Sequence, residues 1–455
     1  MALFGKAMTY CDVLALTLKR CKYIISNGSM LTAKPFSIST QNNENYDIII
    51  TGGGMVGSTL ACAIANNRKL ECKKILLLES NKQHEYKSQE KYSNRVVALN
   101  KQTRCLLSSI GAWQHIEAIR YSTVRKMQVW DACSDAMIIF NEDYLTEEIA
   151  YIVENDLLLH AVNKQLTDKE NVNIIYNSKV ENIKLPKTQE ENAVIQLQDG
   201  TKYKSKLLIG ADGVNSLVRR TMDTQYVKWN YNQMGIVATL KLSELTNELS
   251  SLVWSLPIDE AKRLLKVSEE EFVDNINNAL WKVYPKDGIV ESGMKALQQL
   301  LEGFSLQTGV VRQLQPSVSA ISEGSRAAFP LQFGHSVSYV QTGTVLVGDA
   351  AHRVHPLAGQ GVNLGFGDIT VLVQLLAEAV ISGVPIGNIM YLRKYETLRQ
   401  RYNVPIMFAI DALHRLYNGT AAPIVLVRSL GLQLTNAIPV IKKALIEHAS
   451  GQIET

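Results

Sequence analysis

Gly348-Asp349-Ala350-Ala351-His352, followed by His355-Pro356-Leu357-Ala358-Gly359-Gln360-Gly361-Val362-Asn363, crowds small residues around one acid. Small residues let backbone approach a ligand closely. A helix starting near Gly361 would aim unpaired N–H groups and its positive dipole end into the turn. That suits an anionic or electron-rich group. A second stretch, Asp47-Ile48-Ile49-Ile50-Thr51, runs into Gly52-x-Gly54-x-x-Gly57, and Glu79 stands 22 residues beyond Gly57. This is the dinucleotide fingerprint in context, with glycines for the turn, a pyrophosphate on the helix N-terminus and the acid on a ribose hydroxyl. A third stretch, Leu207 to Arg219, ends a strand at Asp212-Gly213 and feeds another helix. His352 and His355 form an H-x-x-H pair, but no third ligand stands nearby and the glycine-rich context favours a binding turn over a metal.

These turns need strands before them and helices after them. Apolar runs predict buried strands at 47–51, 74–78, 207–212 and 344–347, and helices at 55–67 and from Gly361 onward. Further helices are predicted at 101–109, 156–169 and 269–283. Strands are predicted at 127–130, 172–176, 180–183 and 193–197, with Gln198-Asp199-Gly200-Thr201 as a hairpin turn. Residues 234–242 and 252–255 read as strands of a second sheet, and 326–331 as the return to the first domain. Residues 81–94 are polar and read as a loop. Beyond the glycine-rich turn the chain is expected to be helical to its end, broken at Pro405, Pro423 and Pro439.

A chain of 455 residues with 46% hydrophobic content can bury the core of two intertwined domains. A net charge of +4 without a clustered basic patch argues against nucleic acid. Cys11, Cys21, Cys62, Cys72, Cys105 and Cys133 show neither zinc nor disulfide spacing, which fits a reducing compartment. Asp368 and Glu378 interrupt the most apolar helix, so no uninterrupted membrane span is expected. Residues 1–45 hold five Lys or Arg against Asp12 and Glu44, the composition of a mitochondrial presequence.

The three glycine-bearing stretches, in this order and spacing, resemble the signature set of the FAD-dependent aromatic hydroxylases. The longer string from Gly348 to Asp368 is similar to the ubiquinone-biosynthesis branch, and the resemblance runs from about Tyr46 to the C-terminal helix. It implies an α/β fold: a Rossmann-type FAD-binding domain interleaved with a β-sheet substrate domain, plus C-terminal helices. The corresponding division is 1–45 presequence, 46–130 FAD-binding, 131–232 mixed, 233–325 substrate sheet, 326–385 FAD-binding and 386–455 C-terminal helices.

The resemblance also assigns roles. FAD would be held non-covalently by Gly52, Gly54, Gly57, Glu79, Arg95, Asp212, Gly213, Gly348 and Asp349, with Arg95 near the phosphates and Asp349 on the ribityl chain. Pro356, Gly359, Gln360, Gly361 and Asn363 would lie against the isoalloxazine ring. No residue is singled out as a catalytic base. The implied reaction is C5 hydroxylation of a polyprenylated 4-hydroxybenzoate with O2, leaving room for a later ring oxidation. Electrons would come from a ferredoxin and its reductase. The setting would be an assembly of biosynthetic enzymes, peripheral on the matrix side of the inner mitochondrial membrane.

Two alternatives stay open: another flavin oxidoreductase, such as a dehydrogenase or halogenase, and a non-enzymatic binder of prenylated cargo. The chain also departs from the family. Between the strand at 234–242 and Leu249-Ser250-Ser251-Leu252-Val253-Trp254, family members carry a proline-rich segment that is missing after Glu248. The deficit is about twenty residues, enough at ~3.3 Å each for two short strands. Its loss is expected to admit water to the substrate pocket and leave neighbouring strands unpaired. A helix over 438–448, with Ile438, Ile441, Leu445 and Ala449 opposite Lys442 and Lys443, is a candidate membrane or partner surface.

Overall fold

The computed structural model describes residues 44–83, 85–86, 92–134, 136–141, 148–242, 249–282, 284–304, 317–438 and 440–443. Residues 1–43 of the expected presequence and the junction at 243–248 lie outside them, whereas Glu44 and Asn45, placed in the presequence, open the first strand and pair with Tyr203 and Lys204. Pro439 also lies outside them, together with most of the 438–448 helix.

The run of isoleucines in strand Glu44–Thr51 is wholly buried because the strand is central to a parallel sheet, flanked by Ile75–Leu78 on one side and Lys202–Gly210 on the other. Val172–Ile175 extends the sheet beyond Ile75–Leu78, and Thr344–Leu346 extends it beyond Lys202–Gly210. Helix Met55–Asn66 packs against helix Asn155–Thr167 and helix Gly361–Ile381. The last is long and apolar enough to cross a membrane, yet twelve of its residues are buried in this core. Cys62 is also buried there, and burial pushes its thiol up to about 11.

The second sheet is antiparallel, in the order Leu249–Pro257, Tyr226–Lys241, Ala327–Ser336, His352–Arg353. One face packs Ile236, Ala238 and Leu240 onto Phe272 and Ile276 of helix Glu269–Trp281. Full burial of Phe272 stabilises this layer by about 2–3 kcal/mol.

Three expectations are corrected. Residues 326–331 do not return to the FAD domain, because Ala327–Ser336 lies in the second sheet. Pro330 looks like a strand breaker but sits opposite a register shift, where a missing N–H is tolerated. The boundary at 232/233 cuts through strand Tyr226–Lys241, which runs on past that same irregularity. Finally, Pro405 does not break helix Ile389–Asn418. Pro405 and Arg401, whose carbonyl loses its donor, are both exposed, while Asn403, Met407 and Ile410 are buried along the opposite face.

Tyr226–Lys241 is paired on both sides, contrary to the loss of pairing expected there. Leu249–Pro257 pairs on one side only among the described residues, and Val253 on it is half-exposed. Helix Ala422–Ala437 is fastened to hairpin Lys126–Trp130/Met137–Asn141. Arg428 donates to both oxygens of Asp131 at 2.6 and 2.9 Å and to the Gly419 carbonyl at 2.6 Å, with both charged side chains almost fully buried.

Candidate flavin site

Register brings the predicted residues together. Thr51 stands opposite both Leu78 and Gly210, and Gly210 stands opposite Leu346. Four parallel strands therefore end at one edge, presenting Gly52, Glu79, Asp212 and Gly348 side by side, the usual place for a ligand in an open α/β sheet.

The glycines differ in cause. Gly52 has φ +98°, and a Cβ there would lie 2.4 Å from the Ala211 carbonyl oxygen. At Gly57 it would lie 1.9 Å from the Gly52 carbonyl oxygen. At Gly54 it would meet nothing within 4 Å. Gly52 and Gly57 are thus required by the protein's own packing, whereas Gly54 keeps open a space that a ligand can fill.

The Gly53 N–H donates to Glu79 Oε2 at 2.6 Å, holding the carboxylate at the mouth of this turn. Asp212 Oδ2 accepts from the N–H groups of Leu217 and Val218 at 2.7 and 3.2 Å, which fixes the start of helix Leu217–Thr221. Asp212 Oδ1 is buried with no partner among the described residues, an acceptor left over for a bound hydroxyl. Gly213 has φ +74°. Arg95 is exposed, and no hydrogen bond of its guanidinium is seen among the described residues.

Helices Met55–Asn66 and Gly361–Ile381 start beside one another, with Val56 of the first against Gly348 and Gly365. Neither has a side-chain cap, an acid in its first turn or a proline there. Every other described helix of nine or more residues opens with one of these. Two uncompensated positive helix ends therefore face the same edge. Asp349 keeps an exposed face in a recess crowded by protein. Burial pushes its carboxyl up, against the pull of His352 and Arg353.

Beneath this turn lies a network that sequence spacing had not isolated. Asp368 is fully buried. It accepts from the Gly348 N–H at 2.9 Å, pairs with His352 Nε2 at 2.7 Å and accepts from Arg399 Nε at 2.7 Å. Burial alone would raise its carboxyl, but His352, Arg399 and the Gly348 N–H hold it well below the usual carboxylate range. Arg219 ties the Asp212-Gly213 turn to the Gly348-Asp349 turn, donating to the Val214 and Ala350 carbonyls at 2.6 and 2.7 Å. Its place just after Asp212-Gly213 was the only available signal.

His352 and His355 diverge: His352 pairs with Asp368, while His355 Nε2 lies 3.4 Å from Gln233 Oε1. Pro356–Ala358 forms one 3-10 turn, and Gly359 closes it at φ +59°. Gln360 precedes the first helical residue, Gly361, where the helix was expected to begin. Asn363 is buried, accepting from the Asn100 N–H and Thr103 hydroxyl and donating to the Ala98 and Gly359 carbonyls. Its side chain anchors the helix start.

The orphaned Asp212 oxygen, the open Gly54 and the two bare helix ends fit a flavin dinucleotide. The FAD binding domain family matches residues 45–401, and the chain is a flavin-dependent monooxygenase with FAD as its cofactor. The p-nitrophenol 4-monooxygenase PnpA of Pseudomonas putida DLL-E4 superposes with a TM-score of 0.64 at 15% identity, covering 90% of this chain and 100% of that one. PqsL, a probable FAD-dependent monooxygenase from Pseudomonas aeruginosa, gives 0.61 at 17% identity, covering 85% and 100%. These structures share the fold.

The sequence relatives are more specific. The mitochondrial ubiquinone biosynthesis monooxygenase COQ6 of Danio rerio is 44% identical, covering 93% of this chain and 95% of its own length. That of Homo sapiens is 43% identical, covering 89% and 92%. The chain belongs to the COQ6 family of FAD-dependent monooxygenases of ubiquinone biosynthesis.

Proposed function

We propose that this chain hydroxylates C5 of a polyprenylated 4-hydroxybenzoate, with a later ring oxidation as a candidate second step. The observation that carries the reading is the line-up of two uncapped helix starts with the recessed Asp349 at one sheet edge. In this reading Gly52, Gly54, Gly57, Glu79, Arg95, Asp212 and Gly213 hold the adenosine and pyrophosphate end. Gly348 and Asp349 hold the ribityl chain, and Pro356, Gly359, Gln360 and Gly361 border the ring, with Asn363 anchoring their helix. Bound FAD supplies oxygen-atom transfer from O2. The protein orients the ring, offers positive helix ends to negative charge on it and keeps water out.

Ferredoxin and its reductase supply the electrons in this proposal. The chain works peripherally on the matrix side of the inner membrane within an assembly of biosynthetic enzymes, after loss of roughly its first 25–45 residues on import. The exposed Val440 and Ile441, at the start of the C-terminal helix, support a peripheral contact. The test is rescue of quinone synthesis in cells lacking their own hydroxylase, with labelled O2 and identification of the accumulating intermediate. Rescue with one labelled ring oxygen at C5 is expected. FAD-loaded protein that neither rescues nor incorporates label would overturn the proposal.

A second reading has its own support. The alignment with the Danio rerio relative runs over 461 positions while covering 93% of the 455 residues here, so that relative carries residues without a counterpart. Together with the half-exposed Leu249–Pro257 edge, this supports a shortened substrate sheet. Such a chain retains FAD but hydroxylates with poor coupling, because water reaches the pocket. Hydroxylated product and hydrogen peroxide per reducing equivalent, with and without a family-type segment inserted after Glu248, decide it. Equal and well-coupled turnover by both would show the shortening to be harmless.

A further inference from the structure

Strand Tyr226–Lys241 carries a distortion that its position in the middle of a sheet does not require. Between Asn230 and Met234 it advances four residues while its partner moves only from Gln332 to Pro330. Two extra residues are thus accommodated, and Asn232 takes φ +56°, a left-handed conformation that residues other than glycine seldom adopt. Bulges of this kind re-aim side chains beside active sites.

Here the re-aimed side chains are Tyr231 and Gln233, and both converge on His355, the residue before the Pro356–Ala358 turn. The Tyr231 ring meets the His355 ring edge-on at 4.9 Å, and Gln233 Oε1 lies 3.4 Å from His355 Nε2. His355 is fully buried, and its Nδ1 accepts the Leu357 N–H at 3.3 Å, so its proton sits on Nε2 facing Gln233. Burial and the neighbouring His414 push the His355 imidazole down to about 4, keeping it neutral and able to accept that bond.

The far side of the cluster belongs to helix Ile389–Asn418. Tyr231 donates its hydroxyl to Asp411 Oδ1 at 2.8 Å, Trp229 Nε1 donates to the same oxygen at 3.1 Å, and Arg415 Nε donates to Oδ2 at 2.7 Å. The His414 ring stacks on His355 at 4.6 Å.

We propose that His355, Tyr231 and Gln233 are positioning residues for the turn beside the flavin ring: His355 caps the Pro356–Ala358 turn, and the bulge, braced by Asp411, holds His355 in place. Helix Ile389–Asn418 thereby sets the surroundings of the ring from outside the cofactor domain. This deepens the proposed function and rests on its reading that the Pro356 turn borders the ring.

The test uses the full chain loaded with FAD. Its variants are His355→Leu, His355→Asn, Tyr231→Phe, Gln233→Leu and, as a probe of the underlying reading, Pro356→Gly. The readouts are FAD dissociation constant, visible spectrum and midpoint potential of bound FAD, thermal unfolding, and product per reducing equivalent. His355→Leu should keep FAD, because the phosphate-side turns are untouched. It should shift the spectrum and potential and lower coupling by about tenfold or more. His355→Asn, which can accept the same backbone N–H, should restore most of both. Tyr231→Phe and Gln233→Leu should move the same readouts less. If all four only lower the unfolding temperature, or if Asn serves no better than Leu, the positioning role is wrong. A spectrum that responds to Pro356→Gly but not to His355→Leu overturns this inference alone. A spectrum indifferent to Pro356→Gly overturns the reading beneath it.

Discussion

At the turn around Gly52, Gly54 and Gly57 the constraint is steric, whereas at Gly348-Asp349 it is electrostatic. The first holds its shape because backbone leaves no room for a side chain at Gly52 or Gly57. The second is held from below by Asp368, which gathers the Gly348 N–H, His352 and Arg399 in a site closed to solvent. Both end in the same product, a helix start with unpaired N–H groups facing one edge. The difference teaches where each turn is vulnerable: the first to added volume, the second to a changed charge.

The largest test of that contrast is Asp368→Asn. Removing one partner of a buried pair leaves Arg399 uncompensated and should cost about 3–5 kcal/mol in denaturant unfolding. The pH dependence carries a sign. Asp368 has a depressed folded-state pKa, so its contribution is fully present above the unfolded value of about 3.9 and is lost as pH falls from there toward the folded value. Acid unfolding of the wild type should contain this component and the variant should lack it. An unchanged acid profile would break the electrostatic half of the comparison.

Next in size is Gly57→Val, whose Cβ would meet the Gly52 carbonyl oxygen at 1.9 Å. We expect a loss of about 3 kcal/mol with little pH dependence, and failure to retain FAD. Normal stability in thermal unfolding would show that the first turn can relax, and the steric half would fall.

The smallest stability effects sharpen the picture. Gly54→Ala and Asp349→Asn touch positions open to solvent, at Gly54 with φ −72°, so unfolding free energy should change by no more than about 0.5 kcal/mol. FAD titration should nonetheless show about tenfold weaker binding for each, a difference of about 1.4 kcal/mol. Unaltered affinity would mean that these positions do not face the ligand.

The contrast also explains what was legible in the sequence. A steric turn writes itself into consecutive glycines, and a buried parallel strand into a run such as Ile48, Ile49 and Ile50, so the first turn and the strand ends around it could be read directly. The electrostatic turn depends on partners far along the chain: Arg399 is 31 residues from Asp368, and Arg219 is 131 from Ala350. Spacing carries no signal for such pairs. The bulge at Tyr231 was equally hidden, since Asn232 announces a turn, yet here it lies inside one continuous strand. Pro405 misled for the converse reason. Local propensity disfavours it in a helix, but a buried face on Asn403, Met407 and Ile410 overrides the local penalty.

The clasp between Asp131 and Arg428 bears on how the protein is made. The two residues are 297 positions apart, so at roughly 5–20 residues per second the ribosome delivers Arg428 about 15–60 s after Asp131. During that interval the Lys126–Asn141 hairpin has neither its buried counter-charge nor the Asn436 side chain that receives the Ile139 N–H. An isolated hairpin is marginal in water. Its final docking therefore waits for helix Ala422–Ala437, and a nascent chain truncated before Arg428 would expose a lone carboxylate on an unsupported apolar ribbon, a ready substrate for chaperones.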